Sequence, residues 1–193
     1  MLSTTDAIVL SLQPHSDKAH VLHAYTRAGG RINYMVYGIG KKNTAGKYSP
    51  LSIVQLTTDE KSIRTAQLTF VPTSITTDPY KRTIALFLSE VLYSVLRHPM
   101  TDEPMFDFLI DSIKELDSLP YREGEGVGLA NFHLQFLIGF AEKLGFAMQT
   151  APAMPQNRAD RQKALRQLCT YFEEHVDTWK APRSLDVLME VFD

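Results

Sequence analysis

The spacing of apolar residues along this chain changes once, near residue 79, and that change restricts the fold more than any other feature. Before it, five short segments rich in β-branched and aromatic residues alternate with turn residues, which is typical of β-strands. These segments are 6–12, 19–27, 31–39, 52–58 and 62–70. After it, apolar residues recur at i, i+3, i+4 and i+7, which indicates amphipathic helices. The sequence therefore predicts a β-rich module followed by a helical one.

The five predicted strands fall within the first 70 residues of the chain. That density suits a small closed barrel, of which the OB-fold is the common five-stranded form, although an open meander fits the same pattern. The sequence "RAGGR" (27–31) predicts a tight hairpin between the second and third strands, because glycine adopts positive φ at little cost. We predict an α+β protein: an OB-fold barrel over residues 1–78, and a helical bundle over residues 79–193.

The helical half contains recognisable ends as well as apolar stripes. The first helix is expected to end near "RHP" (97–99), since proline restricts the residue before it. Asp102 is a suitable N-cap for a second helix. A third helix is predicted from about Val127 to Leu144, with Gly145 as the residue that ends it. After a proline-containing linker (147–156), two more helices are predicted, at about 158–176 and after Ser184.

Composition excludes several classes of protein. No apolar run approaches the roughly 20 residues that cross a bilayer, and the N-terminus lacks the basic region of a signal peptide. The single cysteine, Cys169, provides neither a disulfide framework nor a four-cysteine zinc site. We therefore expect a cytoplasmic protein without a membrane partner.

Charge is distributed unevenly between the two predicted modules. Residues 1–82 contain 10 Lys and Arg against 5 Asp and Glu, whereas residues 83–193 contain 10 against 17. The whole-chain charge of −2 conceals this difference. Such asymmetry indicates that the first module interacts with something anionic.

No arrangement of residues indicates catalysis. The six histidines are scattered, and a metal site needs three or four convergent ligands. Cys169 falls on a predicted apolar stripe, where a thiol is buried and inert. The "GEGVG" stretch (124–128) follows a helix, lacks a lysine partner and carries acidic neighbours, so a flexible loop fits better than a phosphate site. We expect no enzyme activity and no cofactor.

Cations and aromatic rings concentrate in the predicted barrel. In "VYGIGKKNTAGKYSPL" (36–51), two glycines end an apolar run and three lysines follow. Single-stranded nucleic acid binds to grooves with cationic rims and aromatic stacking platforms. The alternative is that the lysines keep loops soluble and the tyrosines pack the barrel. Candidate DNA-binding residues are Lys18, Arg27, Arg31, Tyr37, Lys41, Lys42, Lys47, Lys61 and Arg64.

The order of these features resembles a known family. "TTDAIVLSLQPHSDKAHVLHAYTRAGGRINYMVYGIGKK" is similar to the opening of the RecO family of bacterial DNA repair mediators. That opening has an "AIVL" strand, a polar turn, a strand ending in "YT" before a glycine, and a third strand ending in glycine before a basic loop. "LFLSEVLYSVLRHPMTDEPMFDFLIDSIKELD" resembles the helix pair after the family's barrel, and "RSLDVLMEVFD" its C-terminal helix.

The resemblance implies an OB-fold on a helical domain that binds single- and double-stranded DNA. It further implies annealing of complementary strands, loading of recombinase together with RecR, and docking of the acidic, apolar C-terminal tail of the single-strand DNA-binding protein. It places the family's basic OB surface on Lys18, Arg27, Arg31, Lys41, Lys42 and Lys47. Contacts of this kind do not read base edges, so we expect binding without sequence specificity.

Two departures from the family pattern bear on function. Many members carry four zinc-binding cysteines in the helical domain, and with Cys169 alone this chain is expected to hold no zinc. The segment between the central helix and the last two is reduced to "AMQTAPAMPQNR". The alternative function is a protein-only adaptor, in which the helical domain binds repair partners and the OB-fold no longer binds DNA.

Overall fold

The structure, a computed structural model, describes residues 2–39, 45–120 and 127–191. Its N-terminal part is a closed five-stranded barrel with the strand order β1-β2-β3-β5-β4. The strands are β1 (Leu2–Ser16), β2 (Ala19–Thr26), β3 (Gly30–Tyr37), β4 (Ile53–Asp59) and β5 (Ser62–Phe70). The predicted five-stranded OB-fold barrel and the α+β fold class are confirmed.

The long first strand makes the barrel possible. The first half of β1 pairs with β4 and its second half pairs with β2, both antiparallel. Irregular register between Val9 and Ser11, and again between Pro14 and Ser16, bends the strand on its way from one neighbour to the other. The enclosed core consists of alternate side chains, among them Val9, Leu22 and Leu56, which are fully buried.

Closure between β3 and β5 rests on one parallel pair, Met35 with Ser62. Beyond Ser62, the open side of β5 is covered in part by a single 3-10 turn, Ala45–Tyr48. Tyr48 packs into the barrel core, and Lys47 Nζ donates to the carbonyl oxygen of Ala66 at 3.1 Å. The end of the "VYGIGKKNTAGKYSPL" stretch therefore belongs to the barrel wall.

Six helices follow in the described part of the chain. They are α1 (Thr73–Thr77), α2 (Pro79–Val95), α3 (Glu103–Ser118), α4 (Val127–Lys143), α5 (Arg158–His175) and α6 (Leu185–Val191). Asp102 caps α3 by accepting from the Met105 backbone N–H at 2.9 Å, as predicted. Gly145 has φ +89 and the Phe146 N–H bonds to the Ala141 carbonyl, which is the expected glycine ending of α4.

The short helix α1 is not predicted from the sequence. Its five residues carry too few apolar positions to show a helical period. Side chains from elsewhere stabilise it: Asp117 accepts from the Ile75 backbone N–H, and the buried Lys81 donates to Ser74 Oγ at 2.6 Å. Lys81 also donates to the Asp117 carbonyl at 2.7 Å. A buried lysine without such acceptors would be costly, so tertiary packing forms this helix.

The chain divides into two compact units. The first contains residues 1–72 and 92–110, so the barrel is joined by the end of α2 and the start of α3. The second contains residues 73–91 and 111–193. A stack of aromatic rings fills the second unit, with ring centroids 5.9 Å apart for Phe140 and Phe172 and 5.1 Å apart for Phe172 and Trp179. The predicted domain boundary between residues 78 and 79 stays a prediction.

None of the helices in the described ranges combines the length and the apolar character that a bilayer crossing requires.

Candidate nucleic-acid interface

Strands β2 and β3 form a hairpin whose outward side chains make a continuous face, here called the hairpin face. Leu22, Ala24, Tyr34 and Val36 point into the barrel core. The alternate residues therefore point outward. The register pairs them across the hairpin: Tyr25 with Arg31, His23 with Asn33, Val21 with Met35, and Ala19 with Tyr37. In OB-folds the face of strands 2 and 3, with the loops beside it, is the usual ligand surface.

One half of the hairpin face is covered by the helical part of the same unit. The Arg31 guanidinium carbon lies 4.0 Å from the centre of the Tyr93 ring, and Arg31 donates to the Tyr93 carbonyl at 2.6 Å. The Tyr25 ring stacks on Phe106 with centroids 6.2 Å apart. His23 bonds to Asn33 at 2.7 Å and meets Tyr93 edge-on. These outward-facing residues therefore stabilise the first unit and are not available to a ligand.

Burial on this half shifts the ionisation of its residues. Burial lowers the pKa of His23; the Asn33 hydrogen bond opposes that shift and the Arg31 charge adds to it. Burial, assisted by the Asp102 carboxylate, raises the pKa of Tyr25 to about 12. Both groups are therefore neutral at pH 7, and neither contributes charge toward an anionic ligand.

The other half of the hairpin face is accessible. Tyr37 is 62% exposed, and Val21 and Met35 beside it are half-buried. Two exposed lysines lie at its margins: the Lys18 carbonyl accepts from the Gly38 N–H at 3.3 Å, and the Lys61 carbonyl accepts from the Met35 N–H at 2.7 Å. We call this set, Lys18, Val21, Met35, Tyr37 and Lys61, the open strip.

The structure separates the predicted DNA-binding residues into three groups. Lys18, Tyr37 and Lys61 are brought together on the open strip. Arg27, Arg31, Lys47 and Arg64 have intramolecular partners: Arg27 bonds to Asp107 at 2.6 Å and lies over Phe106, and Arg64 bonds to Asp59 at 2.8 Å. Lys41 and Lys42 lie outside the described residues. No observation here tests DNA contact by any of them, so the assignment stays a prediction.

Sequence reasoning missed Val21 as a member of this surface. Its strand was recognised, but the pairing of Val21 with Met35 depends on the register of the hairpin. That register follows from the three-residue connection at 27–29 and from Gly30, which has φ +62. Counting outward from "AGG" (28–30) would place Val21 opposite Tyr37, two positions out of register, so the sequence signal alone did not specify this pairing.

A second surface feature lies in the other unit. Residues of α4, α5 and α6 line a pocket: His133, Arg158, Arg161, Gln162, Leu165, Leu188 and Met189. Gln162 bonds to the Met189 carbonyl at 2.9 Å, which ties α6 to α5. Burial lowers the pKa of Arg161, and the described lining residues include no carboxylate. The pocket therefore combines cationic and apolar groups.

Groups suited to metal binding or nucleophilic attack are not assembled in the described ranges. No three of their histidine, cysteine, aspartate and glutamate side chains are placed to hold one metal ion. Burial, with the Glu173 charge, raises the pKa of Cys169 to about 11, so the thiol is protonated at pH 7. Most of the "GEGVG" stretch, residues 124–126, lies outside the described part of the chain.

A closed five-stranded barrel with an accessible strip on strands 2 and 3, joined to a helical unit, defines an OB-fold protein with an added helical domain. Residues 1–71 match the family model described as "Recombination protein O N terminal". The DNA repair protein RecO of Porphyromonas gingivalis is 33% identical over 156 residues, which cover 75% of this chain and 61% of that protein. RecO of Bacteroides fragilis is 28% identical over 249 aligned positions, with both chains covered completely.

RecO of Phocaeicola vulgatus is 32% identical over 159 residues, which cover 78% of this chain and 64% of that protein. The chain thus spans about three fifths of the length of the Porphyromonas gingivalis and Phocaeicola vulgatus relatives. Two independent comparisons, with the family model and with whole proteins, agree. The chain belongs to the RecO family.

Proposed function

We propose that this protein is a mediator of DNA repair and recombination that binds single- and double-stranded DNA on the open strip. The observation that carries the proposal is the exposed Tyr37 between Lys18 and Lys61, on the face that OB-folds use for ligands. The names of its relatives, which are called DNA repair proteins, support the same function. Binding through phosphates and base faces implies no sequence specificity.

In this proposal the protein acts by binding and not by catalysis, without zinc or another cofactor, in the cytoplasm. It anneals complementary strands and, with RecR, helps to load recombinase. Lys41 and Lys42, which follow Tyr37 by four and five positions in the sequence, are included among the cations that bind DNA. Arg27, Arg31 and Lys47 stabilise the fold through the contacts described above and contribute less to DNA binding than their charge implies.

The proposal is tested by fluorescence anisotropy of a labelled single-stranded oligonucleotide at several salt concentrations. If about four cations engage phosphates, affinity falls by roughly 50-fold between 50 and 200 mM salt. The Lys18→Gln/Lys61→Gln variant should weaken binding and reduce the slope of log K against log salt by about 1.4. These substitutions remove two charges from exposed side chains and keep the backbone carbonyls through which Lys18 and Lys61 bond to β3 and Gly38.

A matched control is Lys114→Gln/Lys143→Gln, which removes two exposed lysines from the second unit. It should leave the salt slope unchanged. If wild-type protein binds without a salt slope, or if both double variants behave alike, the open strip is not the DNA site. A protein without any DNA affinity would be the adaptor that we consider as the alternative function.

We further propose that the pocket of the second unit receives the acidic, apolar C-terminal tail of the single-strand DNA-binding protein. Arg158 and Arg161 are suited to carboxylates, and the half-buried Met189 beside them to contact with an apolar side chain. The second half of the chain is acidic overall, so a tail of like charge needs a local cationic site such as this one. The clustering of the two arginines supports that placement.

The tail proposal is tested by calorimetric titration with a synthetic peptide of the tail from the same organism. Arg161→Gln should weaken binding by about tenfold or more, because charge-assisted hydrogen bonds contribute roughly 1.5–3 kcal/mol. Arg166→Gln is the control, since Arg166 is exposed on the same helix and does not line the pocket. Equal affinity in wild type and Arg161→Gln would place the tail elsewhere.

A further inference from the structure

The covered half of the hairpin face limits how much nucleic acid the barrel can hold. Tyr25, His23 and Arg31 are in contact with Phe106 and Tyr93, so a strand cannot follow β2 and β3 along their whole length. The accessible part runs from Met35 to Gly38, four residues separated by three steps of about 3.3 Å, or roughly 10 Å. At about 3.4 Å per stacked nucleotide, this length holds about three nucleotides.

The chemistry of this short surface is different at its centre and at its margins. Its centre is apolar and aromatic: Val21, Met35 and the 62% exposed ring of Tyr37. Its margins carry the exposed Lys18 and Lys61. None of these five side chains has a hydrogen-bonding or ionic partner among the residues that the structure describes. The centre therefore suits the face of a base, and the margins suit phosphates.

Single and double strands present these two features differently. Both carry phosphates on the outside, so both can engage the two lysines. The face of a base is available in a single strand, whereas in a duplex it is stacked between its neighbours and must be extruded at a cost. The apolar centre therefore adds affinity for single strands and none for intact duplex.

Building on the proposed DNA binding, we propose that the open strip holds about three unpaired nucleotides with one base stacked on Tyr37. Duplex DNA engages only the lysines at its margins. Tyr37 is then the residue that gives this surface its preference for single strands, and Lys18 and Lys61 provide affinity for both forms.

The test compares the full-length protein with Tyr37→Ala, Tyr37→Phe and Lys18→Gln/Lys61→Gln on two labelled probes: a thymidine oligonucleotide and a hairpin duplex with the same number of phosphates. Tyr37→Ala should lower affinity for the single strand by about tenfold, the usual effect of losing one stacked base, and leave duplex affinity unchanged. Tyr37→Phe should retain single-strand affinity, because the ring remains. The lysine variant should lower affinity for both probes.

The outcomes separate this inference from the function on which it rests. Suppose that Tyr37→Ala lowers affinity for both probes equally, or for neither, while the lysine variant lowers affinity for both. The proposed role of Tyr37 in strand preference is then wrong, and the proposed DNA binding on the open strip is retained. If the lysine variant changes neither probe, the proposed DNA site itself fails. Thermal unfolding of each variant shows whether a loss of affinity reflects a loss of fold; Tyr37 is exposed, so its variants should melt with the wild type.

Discussion

Arg31 shows that a cation covered by other residues of its own unit is used in contacts within the fold. Its guanidinium lies over the Tyr93 ring and donates to the carbonyls of Tyr93 and Leu96 at 2.6 and 3.4 Å. Moving it to a phosphate would break these contacts. Lys18, just before β2, and Lys61, at the β4–β5 turn, flank the other end of the hairpin face and are exposed. The three residues carry the same charge, but only the exposed lysines can bind an anionic ligand without losing contacts within the fold.

Gly30 is the residue whose substitution should damage the first unit most. It has φ +62, and a Cβ there would collide with the Met100 carbonyl oxygen and lie 2.9 Å from that of His98. Both are backbone atoms that cannot rotate away. We expect Gly30→Ala to lower the free energy of unfolding by more than about 2 kcal/mol, measured by urea denaturation, because strain and overpacking add.

The control for this prediction is Gly38→Ala. Gly38 has a similar φ of +72, but no atom of the residues that the structure describes lies within 4 Å of where its Cβ would be. Gly38→Ala should lower the free energy of unfolding by only about 1 kcal/mol, the cost of a left-handed conformation. Equal losses in the two variants would show that the close approach of Met100 does not affect stability.

At the scale of elements, α5 carries charges that oppose its own dipole. Arg158 and Arg161 lie at its start, and its last turn holds Glu173 and Glu174 beside His175. Cations near a helix N-terminus and anions near its C-terminus each cost about 0.3–1 kcal/mol. Asp160 and the Asn157 N-cap offset part of this cost. Local rules are commonly broken at functional surfaces, and two of these arginines line the proposed tail pocket.

The edge of β5 supports a prediction about Lys47. Past Ser62, β5 has no strand partner on the β3 side, and Lys47 Nζ supplies a donor to the Ala66 carbonyl. A lysine in this position also blocks pairing with another chain. Lys47→Met should lower the free energy of unfolding by about 1 kcal/mol, one net hydrogen bond, and should raise the tendency to aggregate as measured by light scattering.

Lys61→Met serves as the comparison, since Lys61 is exposed at the β4–β5 turn and its side chain has no partner in the described part of the chain. It should leave stability within about 0.5 kcal/mol of the wild type. If Lys47→Met is equally neutral and stays monodisperse, Lys47 is free for another role, and its predicted contact with DNA becomes the better interpretation.

At the scale of the whole molecule, a buried histidine ties stability to pH. Burial, with the nearby Arg161 charge, lowers the pKa of His133 to about 3. In the unfolded chain that pKa is 6.5, so below pH 6.5 the unfolded state binds a proton that the folded state does not. The contribution of neutral His133 is therefore complete above pH 6.5 and is lost as pH falls toward 3.

We expect the free energy of unfolding to fall by about 1.6 kcal/mol between pH 6.5 and 5 from this residue alone, as the slope rises toward 1.36 kcal/mol per pH unit. Urea denaturation at a series of pH values measures the slope. In His133→Gln the slope should be shallower over that interval, whatever the absolute stability of the variant. If the wild type and His133→Gln show the same slope, the pKa of His133 is the same in the folded and unfolded states, and the prediction is wrong.

Much of the fold was predictable because its determinants are local. Strands are indicated by β-branched residues and turn signals, and helices by the spacing of apolar residues. Asp102 marks the start of α3, and Gly145 marks the end of α4. The element α1 was not predictable, because distant Asp117 and Lys81 stabilise it. The same distinction applies to the candidate site. Lys18, Tyr37 and Lys61 could be named as exposed polar or aromatic residues near turns, but nothing local indicated that Arg31 and Lys47 are engaged within the fold.

The sequence by itself determined the two modules, the type and order of nearly all elements, the alternation of side chains along β3, and membership of the RecO family. These follow from periodicity, turn chemistry and the order of motifs, all of which depend on residues that are close together in the sequence. Only the tertiary structure decided which outward residues stay accessible. The segment 92–110 covers Tyr25, His23 and Arg31 and leaves Tyr37 exposed. Accessibility is a property of what packs against a residue, and residues 60 or more positions apart in sequence determine it here.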